Sequence, residues 1–398
     1  MDEKSLKPQL RFKGFTDAWE QRKVEDVANR YDNLRIPVAA NERISGTTPY
    51  YGANGIQDYV SGYTHDGEFI LVAEDGANDL KNYPVQYVSG KIWVNNHAHV
   101  LQATDKNDNK FLKYNISQMN IEPFLVGGGR AKLNAETMMK IELNAPKNKQ
   151  EQKQIGCFFH GLDNLITLHQ RKLDKISNVK KALLEKMFPK NDSNVPEIRF
   201  KGFTDAWEQR KLGDIMDVTS VKRIHQSDWQ TEGIRFLRAR DIVSAIKNED
   251  PEDCLYISKE KYEEYSKISS KVEIGDLLVT GVGTIGVPYL IINSEPIYFK
   301  DGNIIWFKNK KNINGKFLYF SFTNNKIQNF IKESAGTGTV GTYTIESGKK
   351  TPIFLPHNDE QNKIANFFSN LDNLITLHQR KLEKLKNIKK ACLEKMFV

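Results

Sequence analysis

The chain has 398 residues, a formal net charge of +8 and a sequence pI near 9.0. Its length suits two or three domains. It shows neither the apolar core of a signal peptide nor an apolar run near the ~20 residues of a membrane span, so we expect a cytoplasmic protein. Three scattered cysteines favour neither a disulfide framework nor a zinc site. The basic charge suits a polyanionic partner, although many basic proteins bind no nucleic acid.

The chain contains two pairs of repeated segments. The thirteen letters RFKGFTDAWEQRK occur at Arg11–Lys23 and again at Arg199–Lys211, an offset of 188 (199 − 11). The twelve letters LDNLITLHQRKL occur at Leu162–Leu173 and at Leu371–Leu382, an offset of 209 (371 − 162). The stretches between the copies differ in length and look little alike. Such a pattern predicts a repeated scaffold that carries two different inserts.

Short strand-like runs bounded by turn residues characterise the first insert. They lie at Gly67–Ala73, Lys91–Val94 and Met139–Leu143. His97 and His99 alternate as side chains do along a strand, and with no carboxylate set to complete a metal site we predict none. A run of glycines, 127–129, precedes Arg130 and Lys132. Glycines let a phosphate approach the backbone closely, but a flexible surface loop explains them equally well.

A long amphipathic helix is predicted after the first insert. From Ile155 to Phe188 apolar residues recur every 3.5 residues, which is typical of a coiled coil, until Pro189 ends the helix. It would be roughly 50 Å long, and the second copy, beginning near Ile364, is its simplest partner. The predicted interface positions are Leu162, Leu165, His169, Ile176, Leu371, Leu374, His378 and Leu385.

Histidines interrupt both apolar stripes near the helix midpoints. If the helices run antiparallel, His169 and His378 would face each other near the pseudo-two-fold axis. They could fix the register, as buried polar residues do in other coiled coils, or they could simply cap a weak layer.

The second insert also reads as a series of short strands. They lie at Ile234–Arg238, Gly275–Thr280, Pro296–Phe299, Asn303–Phe307 and Thr351–Pro356. Gly281–Gly286 spells GxGxxG, but Pro288 follows directly, so a turn between two strands is predicted rather than a dinucleotide site. A second glycine-rich segment contains Thr337 and Thr339. Five basic residues, which could contact phosphates or guanine or form a solvated face, are Lys222, Arg223, Arg235, Arg238 and Arg240.

These patterns predict an α+β fold in which two α/β globules alternate with two long antiparallel helices in a pseudo-two-fold repeat. The predicted segments are a lead-in (1–22), a first globule (23–150), a first helix (151–190), a linker with the second lead-in (191–211), a second globule (212–358) and a second helix (359–398). Near-identical segments should present the same surface twice, which suits two identical partner subunits. The two dissimilar globules should each contact a different target. Half-sites one turn of duplex DNA apart are roughly 34 Å from each other, within the span of such a helix.

Several further segments carry a family resemblance. They are GEFILVAEDGA (67–77), GDLLVTGVGTIG (275–286), KIWVNNHAHVL (91–101), GIRFLRARDI (233–242) and the paired EQKQIGCFF and EQNKIANFF. With the repeated lead-ins, they make the chain resemble the DNA specificity subunits of type I restriction-modification systems over nearly its whole length. One departure is Gly281–Gly283, which stands where the family often has a charged residue.

The resemblance implies two target-recognition domains, each reading one half of a split, asymmetric site in double-stranded DNA. The helices would set the unread gap and dock two modification subunits, which methylate adenine with S-adenosylmethionine. Restriction subunits, with ATP and Mg, would complete the complex, and this chain would bind no cofactor and have no catalytic residues. Candidate DNA contacts are Arg130, Lys132, Lys222, Arg223, Arg235, Arg238, Arg240, Thr337 and Thr339.

Two other functions compete with this interpretation. A self-contained DNA-modifying enzyme is disfavoured because the sequence lacks the Asn-Pro-Pro-aromatic motif of amino methylation and any nuclease motif. A coiled-coil adaptor leaves the two large globules and the basic charge unexplained.

Overall fold

The computed structural model describes residues 6–127, 131–190, 193–247, 249, 251, 253–310, 313–336 and 341–398. It divides into two compact units. Unit 1 comprises Met1–Arg171 and Gln379–Val398, and unit 2 comprises Lys172–His378. The boundaries fall inside the two long helices, so each unit contains one globule and one part of each helix. Across these ranges no helix is long and apolar enough to span a membrane.

Unit 1 is built around a six-stranded sheet with strand order β2-β7-β5-β6-β3-β4. Its strands are β1 (Glu20–Lys23), β2 (Ala28–Arg30), β3 (Ser45–Gly52), β4 (Gly55–Val60), β5 (His65–Ala73), β6 (Val85–Val94), β7 (Ala98–Ala103), β8 (Leu125–Val126), β9 (Lys132–Leu133) and β10 (Glu142–Ala145). Its helices are α1 (Val24–Val27), α2 (Asn109–Ser117) and α3 (Ala135–Lys140), and α4 (Lys149–Lys186) begins here. Five consecutive apolar residues, 69–73, are all buried and form the second half of β5, which lies inside the sheet.

Unit 2 has a four-stranded sheet, β12-β18-β15-β16, and a three-stranded sheet, β14-β13-β17. Its strands are β11 (Glu208–Lys211), β12 (Asp217–Thr219), β13 (Ile234–Leu237), β14 (Leu255–Ile257), β15 (Leu277–Thr280), β16 (Pro288–Leu290), β17 (Ile297–Phe299), β18 (Ile304–Lys308) and β19 (Pro352–Leu355). Its helices are α5 (Leu212–Ile215), α6 (Ala239–Ile246), α7 (Lys259–Ser269), α8 (Gly315–Thr323), α9 (Asn325–Ser334), α10 (Ile345–Lys350) and the start of α11 (Asn358–Met396). The α+β architecture predicted from the sequence is confirmed.

Each lead-in is fixed to its own unit by the same set of contacts. β1 pairs antiparallel with β10, and β11 pairs with β19 in the same way. Arg11 donates two hydrogen bonds to Glu151 (2.6 and 2.8 Å), and Arg199 donates two to Glu360 (2.8 and 2.7 Å). A tryptophan of each lead-in is also buried. The identical letters therefore encode one anchoring structure used twice.

The long helices pack antiparallel within each unit. In unit 1, Asp163 of α4 accepts from Lys389 of α11 (2.6 Å), and Phe159 packs on Phe397. As the residue number rises along α4, the number of the contacted residue near or in α11 falls, so the two helices are antiparallel. Unit 2 repeats this arrangement, with an ion pair between Lys180 and Asp372 (2.5 Å) and ring packing between Phe188 and Phe368.

Helix α4 is longer than its apolar stripe. It begins at Lys149, two residues before the predicted start at residue 151, whereas the apolar stripe begins only at Ile155 because the buried side chains of Glu151 and Gln152 in the first turn are polar. Its 38 residues would extend about 57 Å. It ends before Pro189, as predicted.

The predicted interface positions differ in burial. Leu162 is buried, whereas Ile176, Leu371, Leu385, His169 and His378 are half-buried. Leu165 and Leu374 leave 45% and 44% of their surface exposed, so their assignment to a buried seam is wrong. A pair of helices covers only a narrow stripe, and these leucines lie beyond it. The predicted contact between His169 and His378 would join the two units and stays a prediction.

Most predicted strands are present, and their ends are shifted by at most two residues apart from the start of β6, which lies at Val85 rather than Lys91. The exception is Met139–Leu143, because helix α3 continues to Lys140 and the strand begins only at Glu142. The glycine turn after β15 leads directly into antiparallel β16, which confirms the hairpin predicted for Gly281–Gly286.

Candidate nucleic-acid interface

Three separate chain segments meet at the end of the central strand of each unit, and we call these places strand-end junctions. In unit 1 the Glu74 N–H donates to the His97 carbonyl oxygen (2.9 Å), and the Leu133 N–H donates to the Glu74 carbonyl oxygen (2.7 Å). Asp75 and Lys132 are bridged in antiparallel fashion alongside. The first junction therefore consists of Glu74, Asp75, His97 and Lys132. Of these residues, Lys132 follows the glycine-rich segment in the chain.

Unit 2 has the same main-chain framework. The Gly281 N–H donates to the Asn303 carbonyl oxygen (2.8 Å), and the Tyr343 N–H donates to the Gly281 carbonyl oxygen (2.8 Å). Thr342, the residue before Tyr343, follows the second glycine-rich segment. These hydrogen bonds match those of the first junction residue by residue. The second junction therefore consists of Gly281, Val282, Asn303 and Thr342.

The side chains at the two junctions share almost no chemistry. Those of the first are ionisable, with a hydrogen bond between Nδ1 of His97 and the Asp75 carboxylate (2.5 Å). The second junction carries no formal charge. A Cβ on Gly281 would lie 2.6 Å from the Tyr343 carbonyl oxygen, so only glycine fits there. A shared framework with divergent side chains is what two readers of different targets require.

A network of charged side chains stabilises the first junction. Arg35 and Lys132 both donate to Glu74, at 2.6 and 3.0 Å. His99 is fully buried and bonds through Nδ1 to Asp32 (2.7 Å) and through Nε2 to the Leu133 carbonyl oxygen (2.8 Å). The network therefore ties β9, which follows the glycine-rich segment, to the sheet.

The two carboxylates of this network stay ionised. Burial by itself would raise the pKa of Glu74, but hydrogen bonds from Arg35 and Lys132 outweigh it and lower that pKa. Burial would likewise raise the pKa of Asp32, and the hydrogen bond from His99 brings it below its usual value. The ligand atoms of Asp32, Glu74 and His99 lie within 4.8 Å of one another, close enough for a metal ion. The two cations on Glu74 already compensate its charge, so the geometry fits an ion-pair network better than a metal site.

The predicted basic residues of unit 2 fall into two groups. Arg238 is mostly buried: it donates two hydrogen bonds to Asp241 (both 2.9 Å), which raise its pKa, and contacts Asp253. Arg235 donates to the Leu255 carbonyl oxygen (3.2 Å). Both arginines therefore have structural partners within their own globule, and a role in DNA contact stays a prediction for them.

The remaining basic residues are exposed. Lys222 is exposed, Arg223 leaves 68% of its side chain exposed beside Asp301, and Arg240 pairs with Asp253 while 58% exposed. Lys132 in unit 1 is 46% exposed. Flexible surface cations can exchange such partners for phosphates, so these four remain predicted contacts. Three other candidates, Arg130, Thr337 and Thr339, lie outside the described residues.

Sequence reasoning did not assign Asp75 to the site. Its signal was position: it lies two residues past the end of a buried strand, where polar side chains reach the surface. The partnership with His97 joins residues 22 positions apart, which no local pattern reveals.

The fold and the two junctions define a duplicated scaffold with two different contact surfaces. The chain belongs to the type I restriction modification DNA specificity domain family, whose profile matches residues 16–178 and 204–387. It is 34% identical over 362 residues to a putative type I restriction enzyme specificity subunit of Haemophilus influenzae, covering 90% of this chain and 89% of that protein.

A more distant relative and a solved structure agree with this assignment. The MjaVIII specificity subunit of Methanocaldococcus jannaschii is 23% identical over 414 residues, covering 94% of this chain and 90% of that one. The fold is similar to the crystal structure of a type I restriction-modification S subunit from M. genitalium, with a TM-score of 0.65, 16% identity and coverage of 98% and 99%.

Proposed function

We propose that this chain is the sequence-specific DNA-recognition subunit of a type I restriction-modification complex, with each globule reading one half of a bipartite, asymmetric site. The observation that carries this proposal is the pair of strand-end junctions, where one main-chain framework holds two unrelated sets of side chains. Base edges in the major groove differ in their pattern of donors and acceptors, so a change of side chains changes the sequence that is read.

Exposed cations supply the affinity that is independent of sequence. The net charge of +8 and exposed residues such as Lys222 and Arg223 suit a phosphate backbone. Phosphate contacts position a protein on the duplex, and base contacts select the sequence. The charged and the uncharged junction would then read different half-sites.

The helices carry a second surface in two copies. Leu165 and Leu168 of unit 1 are each 45% exposed, and their counterparts in unit 2, at an offset of 209, are Leu374 and Leu377, at 44% and 45%. Exposed apolar side chains in a row mark protein contacts rather than DNA contacts. We assign this stripe to the docking of two identical modification subunits, one on each copy.

In this proposal the partner subunits, and not this chain, carry out the catalytic reactions, and the complex acts in the cytoplasm. The modification subunits would use S-adenosylmethionine to methylate adenine, and restriction subunits would use ATP and Mg. This chain would hold them on the chosen sequence. If the chain were instead a self-contained modifying enzyme, the purified chain alone would transfer methyl groups to DNA. A methylation assay with and without the modification subunits tests this alternative.

Exchange of one globule tests independent reading. Residues 24–150 are replaced by the matching segment of another specificity subunit, and methylated adenines are mapped by sequencing a genome that carries the complex. We expect one half of the methylated motif to change and the other to stay. Changes in both halves, or in neither, would contradict the proposal. The reciprocal exchange of residues 212–358 is the matched control.

A further inference from the structure

We propose that Asp75 and His97 together read one base pair of the first half-site, while Glu74 and Arg35 hold them in place. This inference rests on the proposed DNA-recognition function and names the residues that carry specificity in unit 1. It separates side chains that contact DNA from side chains that shape the junction.

Burial distinguishes these two roles. Glu74 is 14% exposed and accepts from both Arg35 and Lys132, so its oxygens are committed to the network. Asp75 and His97 leave 22% and 34% of their side chains exposed, and their neighbours Gly76 and Asn96 are exposed too. The Asp75–His97 pair is therefore more exposed than Glu74 and Arg35 and lies at the surface of the junction.

The main chain on either side of the pair is held firmly. The Asn54 side chain donates to the Gly76 carbonyl oxygen (2.9 Å) and accepts from the Asn78 N–H (3.0 Å). The His97 N–H donates to the Asn95 side chain (2.8 Å). Direct readout needs such preorganisation, because a hydrogen bond to a base edge discriminates only if its donor and acceptor are fixed in position.

The chemistry of the pair selects an amino group. An ionised carboxylate only accepts hydrogen bonds, so the hydrogen on Nδ1 of His97 is directed to Asp75 and orients both side chains. A carboxylate on a DNA-binding surface repels phosphates, but it accepts well from the N4 amino group of cytosine. We therefore expect Asp75 to contact a cytosine in the first half-site.

Unit 2 reads its target differently at the same place. Its framework-equivalent positions are Val282 and Asn303, so it has no carboxylate–histidine pair there. A change at Asp75 should consequently affect only one half of the bipartite motif. The unaffected half then reports, in the same molecule, that the complex is assembled and active.

The test uses the full-length chain bound to its modification subunits, acting on DNA in which each position of the wild-type motif is varied. In Asp75→Asn, the amide offers a donor and an acceptor, a pattern that suits adenine. We expect roughly a 10-fold or larger shift away from cytosine at one position of the first half-site. In His97→Gln, we expect weaker discrimination at that same position. Asp66→Asn, which removes the same charge near the other end of β5, should leave the motif unchanged.

The outcomes separate this inference from the proposed function. If the wild-type complex methylates no bipartite motif, the proposed function fails. If it does so and both variants keep the wild-type preference at every position, the inference alone is overturned. A uniform loss of methylation on all sequences, with unchanged melting temperature, would give the pair a role in general DNA affinity or assembly rather than in base selection and would also overturn it. Should Asp75→Asn fail to fold, His97→Gln carries the test.

Discussion

Removal of Glu151 should loosen the first lead-in and leave the second unaffected. The Glu151 carboxylate is 1% exposed and receives two hydrogen bonds from Arg11, which is itself only 13% exposed. In Glu151→Ala the guanidinium stays in place without its counter-charge. Loss of one partner of a buried ion pair costs about 3–5 kcal/mol. The indole N–H of Trp19, which also donates to Glu151 at 3.4 Å, adds to the loss.

The duplicated structure provides the control. Glu360→Ala makes the same change in unit 2, where Arg199 is the partner and Glu360 is again 1% exposed. Native-state hydrogen exchange of the full chain reports the opening free energy of each lead-in separately. We expect each variant to lower that free energy by about 3–5 kcal/mol in its own unit only. For a unit of about 200 residues this corresponds to a melting shift of roughly 6–20 °C.

A double variant tests the electrostatic explanation. Arg11→Met with Glu151→Leu removes both charges and keeps apolar volume, so most of the lost stability should return. A loss below about 1 kcal/mol in Glu151→Ala, or a double variant no more stable than the single one, would refute the reasoning.

Three further changes have defined outcomes. Burial lowers the pKa of Lys113 to about 8 from 10.5, so its destabilising effect is complete below pH 8 and disappears as the pH rises towards 10.5. In urea titrations Lys113→Met should therefore add up to about 3 kcal/mol to the unfolding free energy at pH 7 and nothing near pH 10.5. The double variant Leu165→Glu, Leu374→Glu should keep DNA binding but lose both modification subunits, and each single variant should lose one, as measured by sedimentation. Joining residue 398 to residue 1 and opening the chain between residues 190 and 193 should leave folding and the methylated motif unchanged, by circular dichroism and methylation mapping.

The sequence predicted those parts of the fold that depend on local periodicity. Both long helices and the buried strand around Phe69 follow from the spacing of apolar residues alone. The burial of Glu151 and Gln152 in the first turn of α4 did not, because both side chains look solvent-facing until Arg11 and Asn107 are known to bind them. Local patterns record burial, but they do not record which distant group compensates a buried charge.

The candidate site was predictable only in outline. The ends of the central strands were located from the sequence and lie at the junctions, together with Lys132 and Thr342, which follow the two glycine-rich segments in the chain. Basic residues were poor guides, because charge alone does not distinguish Arg238, bound to Asp241, from exposed Arg223. Asp75 was missed because a carboxylate is unexpected on a basic DNA-binding protein. Asp75 is recognised as a candidate only through its contact with His97, and that contact is formed by the tertiary structure.

The end of each long helix makes the same contacts in both units. The Leu10 N–H donates to the Lys395 carbonyl oxygen (2.9 Å), just as the Ile198 N–H donates to that of Lys186 (3.0 Å). The last turn of each helix thus binds a lead-in, and Phe397 packs on Trp19 as Phe188 packs on Trp207. In unit 2 the helix end and the lead-in are consecutive in the chain, whereas in unit 1 they come from its opposite ends. Because the same contacts form with and without a covalent connection, side-chain packing rather than chain continuity determines the unit, and both copies of the docking stripe rest on equivalent supports.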